Sequence, residues 1–164
     1  MKRSYLSPAT AKLMALFTPT SDPASTGYSR AEVDAESQIE LTRRAIDAFN
    51  GRNADALIEL GVREYDWRGS IAPYQGLYRG AEGIREFVDD QWGMFEALRV
   101  EPQEFLPRGR HVIVPITVQG RARDGLPVKA TAAQLYSFED GRPARITLFQ
   151  NRDDALAAAA FDDD

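Results

Sequence analysis

Apolar residues recur every three to four positions in three stretches of the chain, which is the spacing that places side chains on one face of an α-helix. These stretches are residues 36–50, 54–60 and 81–95. Gly51 provides a stop for the first, and Asn53 can cap the second, so the two predict a helical hairpin. An alanine-rich run at 153–161 predicts a closing helix.

Shorter runs of alternating or continuous apolar residues predict strands. They cover residues 65–68, 98–106, 111–121, 127–138 and 144–150. Turn-forming residues separate the last four runs, which predicts antiparallel hairpins. Pro115 has no amide hydrogen to donate, so we expect a bulge or an edge position there. Residues 69–80 contain three glycines and a proline and therefore predict a loop.

The order of these elements predicts an α+β fold, because the helices are segregated from a run of antiparallel strands. We expect a curved, mostly antiparallel sheet wrapped around the long first helix. Such a sheet leaves a concave pocket between itself and the helices, which is the usual place for a small ligand.

Length and charge divide the chain into two parts. The 164 residues suit one domain with an appendage. Residues 1–30 carry a net charge of +3, and residues 31–164 carry -8. We therefore expect a basic, flexible arm at 1–30, or one whose residues 11–17 form a short docking helix, followed by the domain at 31–164. The acidic domain argues against nucleic acid as a partner.

Residue usage excludes several kinds of chemistry. With no cysteine and one histidine, the chain has no disulfide, thiolate zinc site, cysteine nucleophile or histidine-rich metal centre, and we expect no metal and no cofactor. The N-terminal apolar stretch is too short for a secretory signal, and no apolar run approaches the roughly 20 residues that span a bilayer. We therefore expect a cytoplasmic protein without a membrane partner.

Five short motifs, in this order and spacing, resemble the SnoaL-like, ketosteroid-isomerase-like branch of the nuclear-transport-factor-2-like superfamily. They are AIDAFN at 45–50, NADAL at 53–57, YDWR at 65–68, YRGAEGI at 78–84 and FEDGR at 138–142. The resemblance covers about residues 36–161. It implies a cone-shaped α+β barrel with an apolar pocket, and a homodimer through the outer face of the sheet. It implies no single activity, because this fold hosts isomerases, cyclases, dehydratases, epoxide hydrolases and binding proteins.

The resemblance also shows which catalytic groups are missing. The three proton-handling positions of ketosteroid isomerases correspond to Ala45, Gly69 and Gln134, none of which can transfer a proton. The epoxide hydrolase branch needs an Arg-x-Asp motif on a central strand, but residues 112–120 contain no charge. The ketosteroid isomerase mechanism is therefore rejected, and for the epoxide hydrolase mechanism the nearest charged residues, Arg121, Arg123 and Asp124, lie at the following turn, where we expect a solvated hairpin end.

Strand alternation predicts which residues face the pocket. If Gln134 points into the cone, Tyr136 and Phe138 do too, whereas residues 133, 135 and 137 point outward. The predicted ligand-binding wall comprises Phe49, Tyr65, Trp67, Val88, Trp92, Gln134, Tyr136, Phe138, Ile146, Leu148 and Gln150. Gln134 and Gln150, if buried, must bond each other, a water or a ligand. The alternative is that these aromatic residues only fill a core.

Few polar residues are candidates for catalysis. We consider Gln134, Tyr136 and Asp66, of which Asp66 faces outward by alternation but is the acid nearest the cavity mouth. Asp47 also faces outward. His111 follows a turn, so we expect it at an exposed strand start.

Three functions remain open at this point. The first is binding of a small, largely apolar molecule, such as a polyketide, steroid or terpenoid, in the internal pocket. The second is a lyase, isomerase or cyclase that polarises such a molecule by hydrogen bonds. The third is a structural homodimer with a vestigial pocket.

Overall fold

The computed structural model describes residues 30–66 and 76–162, which form four helices and a seven-stranded sheet. In chain order the elements are α1 (Arg30–Asn50), α2 (Ala54–Leu60), β1 (Glu64–Asp66), β2 (Leu77–Arg79), α3 (Gly80–Gly93), β3 (Phe95–Pro102), β4 (Leu106–Arg108), β5 (His111–Ala122), β6 (Pro127–Glu139), β7 (Arg142–Phe149) and α4 (Arg152–Asp162). Apart from Arg30, the predicted N-terminal arm lies outside the described residues. None of the helices described could cross a membrane, because each is too short or too polar.

The sheet has the strand order β2-β1-β7-β6-β5-β3, and β4 pairs with β5 beside β3. β1 runs parallel to β7, and the other pairs are antiparallel. The predicted α+β fold with a curved, mostly antiparallel sheet is therefore confirmed. The sheet remains open, so it forms a cone that is not closed into a barrel.

The helical hairpin forms for the reasons that the sequence suggested. The Asn53 side chain accepts a hydrogen bond from the amide of Ala56 at 3.0 Å, and Gly61 ends α2 with φ of 117°. This left-handed conformation favours glycine. The first helix starts at Arg30, six residues earlier than its apolar spacing predicted.

Two features of the strands differ from the prediction. The segment at 77–79, predicted as loop, is strand β2 and pairs Tyr78 with Tyr65 of β1. The run at 98–106 is divided into β3 and β4. Both strands lie against β5, on the side where Pro115 accepts a hydrogen bond from the Gln103 amide at 2.8 Å.

This division explains the position of Pro115. Its register with Ala133 of β6 is regular, so the predicted bulge is wrong for this pair of strands. β5 is also an inner strand rather than an edge. Because the N and O of one strand residue point to the same side, the missing donor of Pro115 faces the break between β3 and β4.

The sheet separates two hydrophobic cores. The inner core lies between the sheet and helices α1, α2 and α3, and it includes Tyr136, Phe138 and Ile146. The outer core lies between the sheet and α4, and it includes Ala133 and Leu135. The predicted alternation is therefore confirmed along β6 and along β7 as far as Leu148.

The prediction that His111 is exposed is wrong. His111 is fully buried at the start of β5, and its Nδ1 lies 3.1 Å from the hydroxyl oxygen of Ser137. Its cross-strand partner is Ser137, two positions from Leu135 of the outer core. The position of His111 next to a turn could not predict its burial, because the burial comes from tertiary packing.

Candidate functional site

Three polar side chains form a buried network on the inner face of the sheet. Tyr136 donates its hydroxyl hydrogen to Oε1 of Gln134 at 2.7 Å. The Gln134 side chain also hydrogen-bonds Tyr65 and lowers the pKa of that phenol, which identifies the amide as the donor. Gln134 therefore uses both ends of its amide, and the network consists of Tyr65, Gln134 and Tyr136.

Both phenols of this network remain protonated in the folded protein. Burial raises the pKa of Tyr65 by more than the hydrogen bond from Gln134 lowers it. Burial also raises the pKa of Tyr136 well above its usual value, and the nearby Tyr65 raises it further. At neutral pH the network can supply hydrogen bonds, but it has no ionised group to act as a base.

An aromatic layer lies next to the network. The Tyr65 ring stacks on Phe87 of α3 with the ring centroids 3.8 Å apart. Phe49 of α1 contacts Phe87 at 5.6 Å and Trp92 at 6.0 Å, and the Trp92 indole donates to the backbone oxygen of Phe49 at 3.1 Å. Asn50 holds this end of α1 against β3, because its side chain bonds both backbone groups of Val100.

The structure brings most of the predicted wall residues together in the inner core. These residues are Tyr65, Val88, Trp92, Tyr136, Phe138 and Ile146, with Phe49 and Leu148 packed against them. Gln134 is buried beside them. Trp67 lies outside the described residues. Whether these residues contact a ligand remains a prediction.

Gln150 departs from the prediction. β7 ends at Phe149, which belongs to the outer core, and Gln150 is exposed in the bend that follows. The prediction of two buried glutamines on adjacent strands is therefore wrong for Gln150. The Gln134 side chain hydrogen-bonds two tyrosines, Tyr65 and Tyr136, instead of a second glutamine.

The candidate acids lie away from the network. Asp47 is exposed, and Asp66 is half-buried and alternates with the inward-facing Tyr65 along β1. The side chain of Ala45, which occupies a catalytic position of the related isomerases, is buried in the inner core. In residues 34–66 and 76–161, the buried polar side chains include no carboxylate, and no group of acids and histidine could hold a metal ion.

Sequence reasoning missed one polar residue of the inner face. Gln91 of α3 is only 8% exposed, and within residues 30–66 and 76–162 its Nε2 has no hydrogen-bond partner. It lies among Phe87, Val88 and Trp92, which belong to the inner core. The available signal was its own polarity, because a glutamine in the middle of an apolar helical stripe needs a reason to be there.

A separate surface cleft of about 620 Å³ lies between α1 and the turn that joins β6 to β7. It is lined by Asp34, Ser37, Gln38, Arg110, Phe138, Glu139, Asp140 and Gly141. Phe138 is its one residue from the predicted wall, and the polar network does not line it. We therefore place the candidate site at the network rather than at this open, charged cleft.

Comparison with known proteins identifies the fold. The sequence model described as a SnoaL-like domain matches residues 42–146. A search among curated proteins gives no significant match.

Solved structures with the same fold include proteins crystallised with small molecules. TerC, co-crystallised with polyporic acid, is 19% identical, with a TM-score of 0.63, over 76% of this chain and 98% of that chain. A putative SnoaL-like polyketide cyclase from Jannaschia sp. CCS1 is 20% identical, with a TM-score of 0.63, over 80% and 94%. A protein from Catenulispora acidiphila DSM 44928 with a ketosteroid isomerase-like fold, in complex with trimethylamine, is 19% identical, with a TM-score of 0.59, over 74% and 92%. At these identities the likeness shows the fold alone.

Proposed function

Because the chain belongs to the SnoaL-like domain family, we propose that it binds a small, largely apolar molecule between the inner face of its sheet and its helices. The observation that carries this proposal is the network of Tyr65, Gln134 and Tyr136 in aromatic surroundings. A few placed polar groups in an apolar wall orient a ligand, while the apolar area supplies affinity.

The chemistry of the wall suggests the kind of ligand. Stacked and tilted aromatic rings suit a flat or ring-containing molecule, and neutral phenols suit a carbonyl or hydroxyl on it. A polyketide-, steroid- or terpenoid-like compound has both features. Two neighbours of this fold, crystallised with polyporic acid and with trimethylamine, support a small-molecule ligand.

A lyase, isomerase or cyclase activity is the second candidate, and one observation favours it. Two protonated phenols beside one amide could stabilise negative charge on a carbonyl oxygen, as oxyanion-binding groups do. The three groups themselves supply no base. Binding is therefore the function that they support directly, and catalysis would need a base from water or from the substrate.

Titration with three small molecules tests the binding proposal. We would add 1-hydroxyanthraquinone, progesterone or farnesol to the whole protein and follow tryptophan fluorescence and heat of binding. We expect at least one to bind, and we expect Gln134→Leu to weaken it about tenfold, because the amide orients the polar end of the site.

A matched substitution keeps this test specific. Tyr136→Phe removes a hydroxyl of the network, whereas Tyr78→Phe removes one that bonds Asp90 outside it. Both rings belong to or pack against the inner core. We expect the first to weaken binding and the second to leave it unchanged. Absence of binding by all three compounds, or equal affinities in all variants, would overturn the proposal.

A further inference from the structure

The unsatisfied amide of Gln91 is the starting point for an inference about the ligand. Its Nε2 is buried, and among the described residues no group accepts a hydrogen bond from it. An unpaired buried donor destabilises the protein unless something else pairs with it. The apolar residues on either side, Phe87, Val88 and Trp92, cannot accept such a bond.

Gln134 offers an informative contrast. Its amide oxygen accepts from Tyr136 and its NH2 group donates to Tyr65, so both ends of this side chain already have partners in the protein. A hydrogen bond from Gln91 to a ligand would instead pair a buried donor that has none among the described residues. The free energy gained from a new hydrogen bond is therefore larger at Gln91 than at Gln134.

The two glutamines border one continuous aromatic layer. Phe87 lies one helical turn before Gln91 on α3 and stacks on Tyr65 of the network. On the other side of Gln91 in sequence, Trp92 contacts Phe49, which also contacts Phe87. A ring-containing ligand packed on these rings would lie beside the buried stripe of α3 that carries Gln91.

We propose that Gln91 donates a hydrogen bond to a carbonyl oxygen of the bound ligand and thereby selects ketones and quinones over the corresponding hydrocarbons. This inference rests on the proposed binding function. A carbonyl suits the position better than a hydroxyl, because a hydroxyl would bring a donor of its own that also needs a buried partner. Gln91 is thus a specificity-determining residue rather than a catalytic one.

Two probes that differ in one carbonyl test this proposal. We would measure binding of 9-fluorenone and of fluorene to the whole protein and to Gln91→Leu, with Gln119→Leu as a control on the exposed outer face of β5. We expect the wild type and the control to prefer fluorenone about tenfold. We expect Gln91→Leu to lose the preference and to melt at a higher temperature, because it removes an unpaired buried donor.

The outcomes separate this inference from the proposed function. Equal binding of the two probes by the wild type overturns the inference but not the proposed binding function. A preference for fluorenone that persists in Gln91→Leu has the same meaning. Failure of the wild type to bind either probe or any of the three earlier compounds overturns both. Gln91→Met, which is closer in shape to glutamine, repeats the test if the leucine variant does not fold.

Discussion

At the scale of single residues, the inner face is defined by how its polar groups are paired. Gln134 is held between two phenols, whereas Nε2 of Gln91 is buried with no partner in the part of the chain that the structure describes. Because the pKa of each phenol is raised, Tyr65 and Tyr136 keep their hydroxyl hydrogens at neutral pH. If the proposed ligand binds here, the hydrogen-bonding pattern that it meets is therefore the same across the physiological pH range.

The raised pKa values predict a loss of stability in alkali. Exposed tyrosines ionise near pH 10, so above that pH the unfolded chain releases protons that folded Tyr65 and Tyr136 retain. Stability from these groups is fully present below about pH 10 and falls as the pH rises above it. We expect Tyr136→Phe to make that fall shallower when the free energy of unfolding in urea is measured across this range.

Thr147→Val is the control for this prediction. Thr147 is as deeply buried as Tyr136, but its hydroxyl does not titrate in this range. We expect it to change stability by the same amount at every pH. If the Tyr136→Phe and wild-type proteins lose stability with the same slope, the buried phenol is not the cause.

Residue-level predictions from sequence succeeded where geometry alone decides and failed where tertiary packing decides. Alternation along a strand is fixed, so Gln134 and Tyr136 were correctly assigned to one face. Gln150 was wrong because β7 ends one residue earlier. The prediction for His111 was wrong because tertiary packing against Ser137 of β6 buries it. Gln91 was missed because its unpaired Nε2 is visible only in the packed structure.

At the scale of elements, the strands that the sequence did not predict form by pairing with strands that are distant in sequence. β2 has three residues and little pattern of its own, and it forms by pairing with β1, which lies more than ten positions earlier. The long helices and β5, β6 and β7 were predictable because each has its own periodicity. The break between β3 and β4 follows the place where Pro115 cannot donate.

A close approach between β3 and β5 predicts the effect of one substitution. A Cβ atom on Gly120 would overlap the backbone oxygen of Ala97, which cannot move without shifting the strand. We expect Gly120→Ala to lower the free energy of unfolding by about 1–3 kcal/mol, as overpacking does. Urea unfolding followed by circular dichroism measures this.

Gly93→Ala is the matched glycine substitution. A Cβ on Gly93, in the last turn of α3, would meet nothing within 4 Å. We expect it to be neutral or to stabilise by up to about 1 kcal/mol, because alanine favours helix. Equal losses in the two variants would show that the contact with Ala97 does not restrict position 120.

At the scale of the whole molecule, α4 covers part of the outer face of the sheet. Ala155 and Ala159 are fully buried against Ile113, Leu135 and Phe149. A homodimer through the sheet stays a prediction, and it would need the part of this face that α4 leaves open. That part carries polar residues of β3, β5 and β6, such as Arg99, Gln119 and Lys129.

Removal of α4 tests how much the outer face depends on it. We expect a chain that ends at Asn151 to self-associate, because it exposes the apolar side chains of the outer core. Light scattering gives the mass of both chains and also the oligomeric state of the full chain. Phe161→Ser is the control, because Phe161 is 82% exposed and contributes little to the core. A truncated chain with unchanged mass and stability would contradict this expectation.

The separation of the two cores by the sheet has a consequence for how this protein can change. Substitutions on opposite faces share few partners, so their effects on stability add rather than interact. Improved packing under α4 can therefore offset destabilising changes near Gln91 and Gln134. Stabilising substitutions in the outer core would therefore let the inner face accept destabilising changes without unfolding the chain.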